Sequence, residues 1–78
     1  MEAPLRKGEL EGRYANAFNV GFNNLEFLVE FGQLYSEGGP ANMHTRIITS
    51  PMYAKAFSVL LLRAIEDYEQ KFGRIPDR

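Results

Sequence analysis

The stretch HTRIITSPMYAKAFSVLLLRAIEDYEQKFG, residues 44–73, reads as a strand that runs directly into a long helix. Ser50 has the hydroxyl of an N-cap, able to accept a hydrogen bond from an otherwise unpaired first-turn N–H. Pro51 behind it carries the φ a first helical residue needs and has no N–H to leave unsatisfied. At the far end Gly73 suits the residue that closes a helix, Ile75 can supply the closing apolar contact, and Pro76 prevents further winding. These signals predict a helix of about 22 residues, or about 33 Å.

Upstream of it the pattern changes to period two. From Tyr14 onward apolar residues alternate with small or polar ones, interrupted at Asn23-Asn24, a pair that tolerates the positive φ of a tight hairpin turn. A two-residue turn there pairs Phe22 with Leu25, Val20 with Phe27, Phe18 with Val29 and Asn16 with Phe31. That collects one apolar face. The other face receives Ala17, Asn19, Gly21, Glu26, Leu28 and Glu30, and a slip of one residue would destroy the separation. The segment SEGGPAN, residues 36–42, is a loop; it lacks the lysine and following helix that a phosphate cradle requires. A third strand, Met43 to Thr49, folds back with Phe31 opposite Ile47, adding Met43, Thr45 and Ile47 to the apolar face and His44, Arg46 and Ile48 to the other.

On the helix, Tyr53, Ala54, Phe57, Leu60, Leu61, Ala64, Ile65, Tyr68 and Phe72 fall within a sector of about 140°, the width expected of a helix seated on a core. The expected fold is therefore α+β: a three-stranded antiparallel meander covered on one face by a single long C-terminal helix, β-β-β-α, with Phe18, Phe27, Phe57 and Leu61 at its centre. It spans residues 13–76 as one domain, dimeric, behind a flexible tail at residues 1–12 whose two leucines offer too little apolar surface to order it.

Composition narrows the function classes. Seventy-eight residues hold a small core, at a size where association often supplies the missing buried surface. With 9 Lys and Arg against 10 Asp and Glu, no net positive field draws the chain to nucleic acid or anionic membrane. The absence of cysteine excludes disulfides and thiolate metal sites and fits a reducing, cytoplasmic setting. No apolar run is long enough for a spanning helix or the core of a signal peptide, so no membrane partner is expected.

Over Tyr14–Tyr35, YANAFNVGFNNLEFLVEFGQLY, and over HTRIITSPMYAKAF with YEQKFG between His44 and Gly73, the chain resembles a family of short bacterial and archaeal proteins, the domain of unknown function DUF3467. Members favour His-Ala-Lys after the proline-led turn. Here Tyr53 stands at the histidine's place, so a role carried by that histidine would not be inherited. The resemblance implies no particular activity.

The residues offer little catalytic chemistry. His44 is the single histidine and cysteine is absent, so Ser-His-Asp, Cys-His and multi-histidine metal arrangements are not expected within one chain. Glu26 and Glu30 lie on the open polar face, where neither burial nor crowding would separate their pKa values; Arg46 is placed to pair with Glu30 as a surface ion pair. Half of the asparagine cluster Asn16, Asn19, Asn23 and Asn24 is explained by the turn. Glu66, Asp67, Glu69, Gln70 and Lys71 have ordinary helix-surface spacing. The aromatic residues that could stack nucleic-acid bases are better explained as core. No enzyme, cofactor or metal is therefore expected.

One feature argues against a monomer. Met52, Val59 and Leu62 form a second apolar strip on the helix, pointing away from the sheet, and Leu28, Leu34 and Ile48 add apolar side chains to the sheet's far side. Both outer strands are open edges. The expected function is a small non-enzymatic homo-oligomeric interaction or adaptor domain, an accessory subunit that binds itself, as a homodimer or higher oligomer, and another protein. The alternative is a dimeric nucleic-acid-binding β-ribbon, in which His44, Arg46, Ser50 and Lys55, helped by Arg63, would contact the nucleic acid.

Overall fold

The computed structural model describes residues 10–77; of the tail expected at residues 1–12, residues 1–9 lie outside the described residues. Three strands and one helix follow in order: β1 (Ala17–Phe22), β2 (Phe27–Gln33), β3 (Asn42–Thr49) and α1 (Pro51–Phe72). The strands form one antiparallel sheet in the order β1-β2-β3, so the α+β class and the meander are as the sequence indicates.

The hairpin register differs from the expected one by two residues. Phe22 faces Phe27, Val20 faces Val29 and Phe18 faces Phe31, across a four-residue connection. The cause is the way Asn23 makes its turn. Its side-chain Oδ1 accepts hydrogen bonds from the N–H groups of Leu25 (2.8 Å) and Glu26 (2.9 Å), while its own N–H donates to the Glu26 carbonyl at 3.0 Å. An asparagine that organises the turn through its side chain needs no positive φ, and no described non-glycine residue has one. Because two residues is a full pleat period, every side chain keeps its expected face.

The β2–β3 pairing carries the same shift, with Val29 opposite Ile47 and Phe31 opposite Thr45, and then breaks step. Gly32 faces Met43, leaving His44 as the extra residue of a β-bulge. Met43 therefore moves off the apolar face expected for it and joins Ala17 and Gly32 on the other side. Between β2 and β3 the chain turns at Ser36–Gly39, closed by a Gly39 N–H to Ser36 carbonyl bond of 3.1 Å, with Gly38 supplying φ +81°. A side chain there would be strained.

Helix α1 begins and ends where its caps predict. The Ser50 hydroxyl accepts from the Tyr53 N–H at 3.2 Å, a cap worth about 1 kcal/mol, and Pro51 occupies the first helical position. Gly73 leaves the helix at φ +99° and ψ 170°, a conformation essentially restricted to glycine, while its N–H donates to the Glu69 carbonyl at 2.9 Å. Glu69 also accepts the Ile75 N–H on its carboxylate, at 2.9 Å.

The expected cover over the sheet is not formed within the chain. Helix α1 makes no extended contact with any strand, and none of its residues is buried. Phe18 and Val20 on the sheet remain 64% and 59% exposed, and Phe57 and Leu61 on the helix 54% and 47%. Among the described residues no apolar side chain is buried at all. The physical reason lies at the junction: Ser50 alone separates β3 from α1 and is itself extended, at φ −80° and ψ 161°. One residue advances the chain by about 3.5 Å, too little to lift a helix across the roughly 10 Å between packed layers. The radius of gyration, 14.6 Å, exceeds the roughly 11 Å of a compact chain of this length.

Candidate interaction surface

The sheet's apolar face is built in three rows, one residue from each strand: Phe18, Phe31 and Thr45; Val20, Val29 and Ile47; Phe22, Phe27 and Thr49. Phe18 and Phe31 meet edge to face, with centroids 5.9 Å apart, and Phe22 stacks on Phe27 at 5.5 Å. Cross-strand aromatic pairs of this kind hold the register. Helix α1 offers a second apolar surface along Tyr53, Phe57, Leu61, Ile65 and Tyr68, ending with Phe72 against Tyr68 at 5.0 Å.

The opposite sheet face carries a polar row across all three strands. Glu30 at its centre accepts from Asn19 Nδ2 at 3.3 Å and from Arg46 Nε at 2.8 Å, with Arg46 Nη2 2.7 Å from the same carboxylate. The ion pair expected between Arg46 and Glu30 is therefore present. Hydrogen bonds from Arg46 first, and from Asn19, hold the Glu30 carboxyl below its ordinary value of 4.5. Since the folded state lowers this pKa, the row's contribution to stability is complete above the unfolded carboxylate's pKa and is lost as pH falls through the folded one. Arg46→Gln should raise the Glu30 pKa, as read from its side-chain carboxyl chemical shift during an acid titration. An unchanged titration would mean that the ion pair does not hold the carboxylate in solution.

The bulge at His44 ties the segment before β1 to the sheet. His44 Nε2 lies 3.0 Å from the Tyr14 carbonyl and Nδ1 2.6 Å from the Thr45 hydroxyl. A carbonyl can only accept, so this geometry places a ring proton on Nε2, and in the neutral ring Nδ1 is then the acceptor of the Thr45 O–H. Arg13 Nη1 donates to the His44 carbonyl at 3.3 Å. Asn16 binds the backbone of Leu34 in both directions, accepting its N–H at 2.7 Å and donating to its carbonyl at 3.2 Å. An open cleft of about 640 Å³ is lined by Glu11, Arg13 and Ala15 of this segment and by Phe31, His44, Thr45 and Ile47 of the sheet. It extends one end of the apolar face. Among the described residues no group of three or more His, Asp or Glu is arranged to hold a metal ion, and no helix is long and apolar enough to cross a membrane.

The sequence profile of DUF3467, described as a protein of unknown function, matches residues 1–77. The chain belongs to that family. No curated protein and no solved structure matches it.

In this DUF3467 chain the residues singled out from sequence fall into three groups. Met52, Val59 and Leu62 are exposed on α1, but Leu62 at 55% is scarcely more open than Leu61 at 47% on the stripe expected to be covered. Leu28 and Ile48 face each other across β2 and β3 on the polar side of the sheet, with Ile48 exposed and Leu28 half-buried. His44, Arg46 and Ser50, the proposed nucleic-acid contacts, have polar atoms engaged within the chain by Tyr14 and Thr45, by Glu30 and by Tyr53 respectively; Lys55 lies in the second turn of α1. Tyr53 is exposed in the first turn of α1. The bulge and the Arg13–His44 and Asn16–Leu34 ties escaped sequence reading because each depends on pairing between distant residues; the glycine at position 32 was their one local trace.

Proposed function

We propose that this DUF3467 protein is a non-enzymatic homo-oligomeric interaction module, an accessory subunit of the cytoplasm whose fold is completed by association. One observation carries the reading: among the described residues a single chain buries no apolar side chain, although its sheet and helix each present a continuous apolar surface. Stability comes mainly from burying apolar area, about 25 cal/mol per Å², set against an ordering cost above about 1 kcal/mol per residue. A chain with strands and a 22-residue helix but no buried core does not meet that cost alone. The short reach of the sequence, 78 residues, makes a second copy the economical source of the missing surface. The engaged polar atoms of His44, Arg46 and Ser50 and the formal net charge of −1 favour this over the nucleic-acid reading.

Sedimentation equilibrium at micromolar concentration should give a dimer or a higher closed oligomer. The melting temperature should fall on dilution, because folding and assembly share one equilibrium. A folded monomer with a concentration-independent melting temperature would refute the proposal.

A further inference from the structure

We infer that the partner is a second copy of the chain bound by reciprocal exchange of the helix: α1 of each protomer lies on the apolar sheet face of the other. This rests on the self-association proposed above and adds which surfaces meet. Two observations lead to it. The two largest apolar surfaces of the chain, the rows around Phe18, Val20 and Ile47 and the helical stripe around Phe57, Leu61 and Ile65, have the complementary forms of a sheet and a covering helix, yet they do not meet. The junction that would bring them together is Ser50 alone, held extended and followed by a proline, whereas strand-to-helix connections ordinarily take about 2–6 residues. A connection too short to fold back is a recognised cause of element exchange between protomers.

Area and symmetry agree. Aromatic side chains bury about 150–250 Å² each, so these two surfaces place on the order of 1,000 Å² per protomer in reach of a partner, above the roughly 800 Å² per side of a standard stable interface. A helix of 22 residues also spans strands of six to eight. Under a two-fold axis the exchange covers both sheet faces and both wide helical stripes in one operation and leaves neither of these surfaces to recruit a third copy, whereas one-way docking would propagate into a filament. The outer strip of Met52, Val59 and Leu62 stays outside this contact.

The test uses the unaltered protein. Equal amounts of ¹³C,¹⁵N-labelled and unlabelled protein are unfolded, mixed and refolded, and isotope-filtered nuclear Overhauser spectra are recorded beside sedimentation of the same sample. The expected result is a dimer in which methyl protons of Leu61 and Ile65 show intermolecular contacts to the Phe18 ring and the Val20 methyls. A dimer whose helix-to-sheet contacts are all intramolecular, or whose intermolecular contacts run only helix to helix, overturns the exchange and leaves self-association standing. A monomer overturns both.

Discussion

Phe57→Ala should abolish the folded protein, a result the lone protomer gives no reason to expect. In one chain Phe57 is 54% exposed, and truncating so open a side chain would cost well under 1 kcal/mol. If the helical stripe is covered in the assembly, Phe57 stands at its centre and its loss carries the cost of a buried phenylalanine, about 3–5 kcal/mol. Small domains have about 5–15 kcal/mol in all, so little folded protein would survive at working concentration. Guanidinium unfolding followed by circular dichroism at several protein concentrations measures the cost, and sedimentation measures the assembly. Both should fail together, with Lys55→Ala on the same helix as the control that leaves both within about 0.5 kcal/mol. Folded, dimeric Phe57→Ala protein with near-normal stability would place the stripe outside the interface.

What could be read in the sequence depended on how local its cause was. Ser50, Pro51 and Gly73 act on their own helix turn, and the helix limits they predict are the ones observed. The two faces of the sheet were legible because they depend on parity alone: a two-residue error in register, caused by the Asn23 side chain turning the chain over four residues, left Phe18, Val20, Phe27 and Ile47 on one side. The bulge was not legible. It arises from β3 having one residue more than β2 between two rows of pairing, which no window of either strand reveals. Helical periodicity identified the stripe around Phe57 and Leu61 as one needing cover, but it carries no information on whose sheet supplies it. The feature that bears on this is a spacing, the single residue between Thr49 and Pro51, rather than any pattern of apolar residues.

The same spacing makes the outer strip of Met52, Val59 and Leu62 an incomplete account of the apolar surface that α1 leaves open. The strip looked distinctive because the other stripe was expected to be filled from within the chain. With the junction unable to fold back, both sides of α1 are open, and the wider stripe has the larger apolar area to lose. A helix apolar on more than one side belongs in an interior. In the proposed assembly that interior forms between copies.

Gly32→Ala should destabilise the protein by about 1–3 kcal/mol, through an effect confined to the sheet. Gly32 is buried beside the bulge, directly opposite Met43 of β3. A Cβ there would lie 2.5 Å from Met43 Sδ, 2.6 Å from the Asn42 carbonyl oxygen and 2.8 Å from Met43 Cα. The sulfur can swing aside at modest cost. The other two atoms are backbone, so the added methyl can be accommodated only if β3 moves away or the bulge is removed. Removing it slips part of β3 by one residue, which exchanges the faces of its side chains and separates His44 from the Tyr14 carbonyl. Urea unfolding should show a lower midpoint with an unchanged slope, the mark of a stability change within an intact two-state fold. Hydrogen exchange should show protection lost first at Asn42–Thr45, while the α1 amides keep protection limited only by the global loss. A variant with wild-type midpoint and protected Asn42–Thr45 amides would mean that the strands do not approach so closely in solution, and the assignment of His44 as the bulged residue would fall with it.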